Sequence, residues 1–202
     1  QSLSQIFNKR IFRIPDYQRG YAWQGQQLRD FWEDIVNLQS DRYHYTGLLS
    51  LKKLNQEESR KLGNDDSWLL DSGFDAYHIV DGQQRLTTFV IMLNEIIEFT
   101  CKLPDNNGKS DDDIYLGFDN IRDIKAKYIS RKRPPENLII TYMFGYENDN
   151  PSAEYLKYKV LGQEYGGTIK ETYYTKNLKY AKEFFGKELQ VYYEKKGIEG
   201  IT

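Results

Sequence analysis

One cysteine, two histidines, two methionines and five prolines occur in 202 residues. The lone Cys101 excludes a disulfide framework or a thiolate metal site within one chain. Its place at the end of an apolar helical stretch predicts an inert buried thiol. Such cysteine usage is that of a reducing, cytoplasmic compartment. His44 and His78 each lie beside tyrosine on predicted strands, and with no further ligands or serine partner both read as structural. No apolar run approaches the ~18 residues of a membrane span. Residues 1–13 lack the apolar stretch of a signal peptide. The formal net charge is −2, so no global field draws the chain to nucleic acid, and any such contact has to be local. The chain opens on Gln1 and closes on Gly200-Ile201-Thr202, and it is expected to be a piece of something longer.

What the chain has is length enough to bury a core, as one domain with an appendage or as two small domains. The predicted elements begin with a short helix carrying Leu3, Ile6 and Phe7, running into a strand near residues 11–14. An amphipathic helix over 24–40 places Leu28, Phe31, Trp32, Ile35, Val36 and Leu38 on one side. Residues 43–54 alternate as a strand, and the polar stretch 55–75 reads as a surface connection. Residues 102–113 are the clearest break. Their Asp/Asn/Gly content fails the register of an EF-hand loop, so a solvated linker is predicted. Beyond it, 121–133 carries Arg122, Lys125, Lys127, Arg131, Lys132 and Arg133, either a solvated face or a local nucleic-acid contact. A strand over 138–144 and helices over 153–161 and 174–193 complete the chain.

The most informative segment is Val80-Asp81-Gly82-Gln83-Gln84-Arg85-Leu86-Thr87. The run Tyr77-His78-Ile79-Val80 reads as a strand, and apolar residues then recur at 86, 89, 90, 93, 96 and 97 with a helical period of about 3.6. The polar cluster therefore sits on a strand-to-helix turn. There the first helical N–H groups lack internal partners and carry partial positive charge, which suits a phosphate or carboxylate. Gly82 permits a positive φ, and Arg85 supplies a fork that matches phosphate oxygens. The plainer alternative is that Asp81 caps the helix and Arg85 pairs with an acid. A second cluster, Ile14-Pro15-Asp16-Tyr17-Gln18-Arg19-Gly20-Tyr21-Ala22-Trp23, interleaves aromatics with Gln and Arg. It can stack on bases, or Tyr17, Tyr21 and Trp23 are packing residues and Arg19 pairs with an acid.

Together the two clusters, with the Tyr-x-Gly-Leu-Leu strand between them, resemble the N-terminal domain of GmrSD-type modification-dependent restriction endonucleases. Asp81–Arg85 matches the DGQQR box and Ile14–Arg19 the IPxYQR box. The motif support covers 1–101; beyond that the likeness is loose, around Asp149–Ser152. The resemblance implies an α+β, ParB/sulfiredoxin-like fold with a small mixed sheet and flanking helices. A nucleotide-binding domain over 1–101 would precede a mainly helical extension over 102–202. It implies binding and slow hydrolysis of a nucleoside triphosphate (GTP or ATP) with Mg²⁺, in defence against phage carrying modified DNA. Cutting would belong to a His-Asn-type nuclease domain further along the chain or on a partner. Self-association is left open. A sulfiredoxin activity is excluded, because its cysteine belongs at the corner and Cys101 lies well downstream.

On this reading the N–H groups after Gly82 cradle phosphates, with Arg85 neutralising charge. Gln83 or Gln84 positions water, and Asp81 holds Mg²⁺ or acts as a base. Thr87 and Thr88 add hydroxyl contacts, and Tyr17, Gln18 and Arg19 line the far side of the pocket or touch DNA. The alternative function is a DNA-binding or interaction module that holds nucleotide without hydrolysis.

Overall fold

The computed structural model of the chain describes residues 1–39, 42, 45, 47–147 and 150–197. Helix α1 (Leu3–Ile6) starts at a capping box in which Ser2 and Gln5 satisfy each other's backbone N–H groups. Strand β1 (Arg10–Ile14) follows and ends where Pro15 removes the next ladder donor. Helix α2 (Gly25–Val36) buries Leu28, Phe31 and Trp32 on one stripe. Then come β2 (Ser50–Lys53), α3 (Gln56–Arg60), α4 (Asn64–Asp71), β3 (Asp75–Asp81) and the long α5 (Gln83–Cys101). The second half holds a hairpin of β4 (Tyr115–Leu116) and β5 (Asp119–Asn120), then α6 (Ile121–Ile124), which runs on as a π-helical turn. Strands β6 (Ser130–Lys132) and β7 (Ile140–Tyr142) form a second hairpin. Strand β8 (Phe144–Tyr146), α7 (Pro151–Glu154) with its π-helical continuation Tyr155–Val160, and α8 (Tyr173–Lys196) complete the fold.

The main sheet has the order β2-β3-β1-β8. Strand β1 is parallel to both β3 and β8, and β2 runs antiparallel to β3. The architecture is thus α+β, a small mixed sheet with flanking helices and a largely helical C-terminal part. Alternation in β1 separates two faces. Phe12 packs with Phe7 and Tyr77, and Phe7 in turn meets Phe89 of α5. Arg13 faces the other way, where α4 supplies its partner Asp66. The parallel strands end together at Ile14, Asp81 and Tyr146. Ligands of open parallel sheets bind outside such carboxyl ends, and both conspicuous sequence clusters leave the sheet there.

Two expectations change. The strand over 43–54 is only β2. Residues 47–49 run irregularly against the Gly82 corner, and residues 43, 44 and 46, His44 among them, lie outside the described residues. The stretch 55–75 folds as α3 and α4. Asn55 and Glu58 form a capping box there, and Leu62, Leu69 and Asp66 are buried. The stretch 102–113 is largely exposed, as expected, and is also pinned by Asn106 Nδ2 donating to the Thr100 carbonyl at 2.9 Å and by Arg122–Asp112 and Lys125–Asp111 pairs at 2.9 and 2.7 Å. These pairs, with Lys127 on Ser4 and Arg131 on the Ala126 carbonyl, also spend most of the expected basic face. Strand β8 completes the sheet begun by β1, and one buried cluster runs from Phe7 to Leu189.

Candidate functional site

Strand β3 and helix α5 meet at Gly82, the helix N-cap, with φ 92° and ψ 5°. This left-handed conformation suits glycine, and here a Cβ would also lie 3.1 Å from the Leu48 carbonyl oxygen and 2.9 Å from Leu49 Cδ1. The cap has no side chain and the first turn of α5 has no acid. Among the described residues, the backbone N–H groups of Gln83, Gln84 and Arg85 have no acceptor. Asp81 is exposed at the strand end, where it faces Ser50 in the ladder; its carboxylate does not cap the helix and has no partner among the described residues. Among the described residues Arg85 pairs with no acid either. Its Nη2 donates to the Leu48 carbonyl at 2.5 Å, and the side chain lines a cleft with Trp23, Phe31, Asp30 and Asp34.

The second cluster is stitched to this corner by its glutamine and by Gln84. Gln18 Nε2 donates to the carbonyls of Ile79 and Val80 at 2.8 and 3.1 Å. Gln84 Oε1 accepts from the Ala22 N–H at 2.7 Å, while its Nε2 donates to the Gly20 carbonyl at 3.2 Å. Both ends of the Gln84 amide are therefore spent on backbone. Gln83, by contrast, has a buried Oε1 with no partner among the described residues. Thr87 and Thr88 are fully buried, and their hydroxyls donate to the Gln83 and Gln84 carbonyls at 2.7 and 2.8 Å. The helical turn thus takes the donor of each hydroxyl locally.

Tyr21 is buried, its hydroxyl 2.6 Å from Thr88 Oγ1, and burial pushes its pKa well above the usual phenol value. Trp23 is half-buried, edge-on to Phe31 at 6.1 Å. Those two aromatics are packing residues. Tyr17 is 78% exposed and Arg19 is exposed with no partner among the described residues. Because Gln18 between them is tied to the last carbonyls of β3, both are displayed beside the corner.

The sequence reading missed the contribution of the C-terminal half. A Cβ on Gly20 would fall 2.6 Å from Tyr174 Cγ and 2.8 Å from Ser152 Oγ, so only glycine fits beneath them. Tyr173 Oη accepts from Gln24 Nε2 at 2.8 Å, and Asn177 Nδ2 donates to the Tyr21 carbonyl at 3.1 Å. Glu147, just beyond β8, accepts from the Asp16 N–H at 3.0 Å and lies 2.8 Å from His78 Nε2. The available signals were the polar Asn177 on an otherwise apolar helix face and the Asn150-Pro151 helix start, where Asn150 caps α7. Asp149 lies outside the described residues.

Among the described residues no three His, Cys, Asp or Glu side chains gather as a metal cage. One exposed carboxylate, Asp81, stands at the corner; Mg²⁺ is commonly held by one or two carboxylates together with substrate phosphates and water. Cys101 is half-buried rather than buried, and that burial raises its thiol pKa. Among the described residues no helix is long and apolar enough to cross a membrane.

Comparison with known proteins is consistent with this arrangement. No curated protein matches the chain. The family described as GmrSD restriction endonuclease, N-terminal domain, matches residues 3–198, a span that takes in both stitched clusters, β8 and α8. The chain therefore belongs to the GmrSD restriction endonuclease N-terminal domain family and is a component of a restriction system.

Proposed function

We propose that this domain binds a nucleoside triphosphate at the Gly82 corner and hydrolyses it slowly, as the regulatory part of a modification-dependent restriction system. The observation that carries the reading is the corner itself. Unpaired N–H groups open a helix of 19 residues, with Arg85 and Arg19 close by and no acid in the first turn. Phosphate oxygens would sit on those N–H groups. Arg85 would exchange the Leu48 carbonyl for them, a stronger, charge-assisted bond. Gln83 would orient the attacking water. Asp81 would hold Mg²⁺, which neutralises developing charge on phosphate when bound. Tyr17 would lie beside the bound nucleotide or the DNA. The DNA carrying the modification, and the nuclease domain that cuts it, are the partners this reading requires.

A second reading, binding without turnover, is favoured by one observation: Gln84 is committed to backbone, so a single glutamine remains for water. Equilibrium binding of ATP, GTP, CTP and UTP with Mg²⁺, followed by phosphate release, tests both. Arg85→Ala is expected to weaken binding by ~10–100-fold, the worth of a charge-assisted bond. Gln83→Ala is expected to slow release while leaving affinity within ~3-fold. Unchanged affinity in Arg85→Ala refutes the corner as the site. Binding with no release by the parent selects the second reading.

A further inference from the structure

A cavity of ≈ 340 Å³ opens beside β8 on the Arg13 face of the sheet, and its lining shares no residue with the Gly82 corner. Its size lies within the range of small-molecule sites, which begins at about 300 Å³. Gly145 stands opposite Arg13 in the ladder, and a Cβ there would meet nothing within 4 Å. On one side the Arg13 guanidinium gives Nε and Nη2 to Asp66 at 3.1 and 2.6 Å and Nη1 to the Phe12 carbonyl at 2.8 Å. Arginine carries five N–H donors, so donors remain for an acceptor on a ligand. The pair is buried, with side chains 8% and 7% exposed, and its charges cancel.

On the other side lies the edge of β8. The register Phe12↔Phe144 and Ile14↔Tyr146 commits alternate main-chain groups to β1. The Phe12 N–H donates to the Met143 carbonyl at 2.8 Å, and the Glu147 N–H donates to the Ile14 carbonyl at 3.0 Å. In a parallel ladder this turns the N–H and C=O of Phe144 and Tyr146 away from β1. Among the described residues these groups have no partner, although Phe144 and Tyr146 are 0% and 4% exposed. Desolvated main-chain groups are costly to leave unmet. Tyr146, the accessible one of the two, offers a donor and an acceptor side by side. The walls add Tyr142 and Tyr158, and the Tyr158 ring is held by stacking on Tyr165 at 4.3 Å and 10°. Trp68 Nε1, donating to Thr141 Oγ1 at 2.8 Å, ties the β7 wall to α4.

The complementary ligand is a flat ring that stacks on tyrosine, presents a donor and an acceptor on one edge, and is uncharged. We propose that this cavity binds a nucleobase, carried either by a free nucleoside or by a nucleotide turned out of a DNA strand. An aliphatic ligand would leave the β8 edge unmet. Arg13 is neutralised by Asp66 and Lys157 pairs with Asp65 at 3.6 Å, so the wall has no spare positive charge for a free anion, and the Glu154 carboxylate suits a sugar hydroxyl instead.

Calorimetric titration with adenosine, guanosine, cytidine and thymidine, none carrying phosphate, tests the proposal independently of the corner. At least one is expected to bind with Kd between ~10 μM and ~1 mM. Gly145→Val fills the open space with a residue that strands favour and is expected to weaken binding by at least ~10-fold. Arg85→Ala is expected to leave it within ~2-fold. Should Gly145→Val melt early, Tyr158→Leu decides, with an expected loss of ~5–100-fold from removing the stacking ring. Displacement of the bound nucleoside by a single-stranded oligonucleotide assigns the base to DNA, and no displacement assigns it to a free nucleoside. The proposal is overturned if no nucleoside saturates the parent below ~10 mM, if a folded Gly145→Val binds as the parent does, or if Arg85→Ala abolishes binding.

Discussion

Substituting alanine for Gly82 separates two costs that the corner combines. The first is conformational. A non-glycine residue at φ 92° costs about 1 kcal/mol, because its Cβ crowds the following carbonyl. The second is contact. The new methyl would lie 2.9 Å from Leu49 Cδ1, which can rotate away, but also 3.1 Å from the Leu48 oxygen and 3.4 Å from Leu49 Cα, which cannot. Residues 47–49 then have to retreat, at about 1–2 kcal/mol. Gly73 supplies the comparison, since it has φ 85° and a Cβ there would meet nothing within 4 Å. Gly73→Ala therefore carries only the first cost. In a domain of this size ~1 kcal/mol moves Tm by about 2–4 °C. Gly82→Ala should then lower Tm by roughly 4–12 °C and Gly73→Ala by about 2–4 °C, read by circular dichroism or as urea midpoints. Equal losses would refute the contact with 47–49, and no loss in either would refute the left-handed turns.

Gln84→Ala leaves the Ala22 N–H and the Gly20 carbonyl without their amide partner. It should cost about 1–3 kcal/mol and speed proteolysis within residues 15–23; unchanged stability would show the stitch to be dispensable. Asp66→Ala strands the buried Arg13 charge and should destabilise by about 3–5 kcal/mol, whereas Arg13→Met with Asp66→Leu should recover most of that in urea titrations. Glu95 sits largely buried in α5, 3.4 Å from Lys182, and burial raises its carboxyl pKa, the Lys182 charge opposing. A raised folded-state value means stability that is full at low pH and lost as pH climbs through the ordinary and then the raised carboxyl value. Glu95→Gln removes that loss, so its Tm relative to the parent should rise between acid and neutral pH. A constant gap would show that Glu95 titrates alike in both states.

The elements legible in the sequence are those long enough to repeat. Helix α5 shows Leu86, Val90 and Ile97 on a helical period, α8 shows Leu178, Ala181, Phe185 and Leu189, and β3 ends visibly where Asp-Gly interrupts a β-branched run. Strand β8 is three residues long and α4 presents only Asp66 and Leu69 to the interior, so neither carries a period. At the site, residue types marked where chemistry gathers but could not divide the labour. An amide that orients water and an amide that ties two backbones together look the same in a sequence. What distinguishes them is the position of carbonyls far away: Gly20 for Gln84, and Ile79 and Val80 for Gln18. The same holds for Thr87 and Thr88, whose hydroxyls are taken by their own helix. Two groups emerge from one motif pair. Gln18, Gln84, Tyr21, Thr87 and Thr88 hold the corner's shape, while Asp81, Gln83, Arg85, Tyr17 and Arg19 remain available to a ligand. The groups should differ in kind when substituted. Loss of a shape-holding residue lowers stability and ligand affinity together. On the proposed function, loss of Asp81, Gln83, Tyr17 or Arg19 is expected to lower affinity alone, whereas loss of Arg85 also gives up its bond to the Leu48 carbonyl.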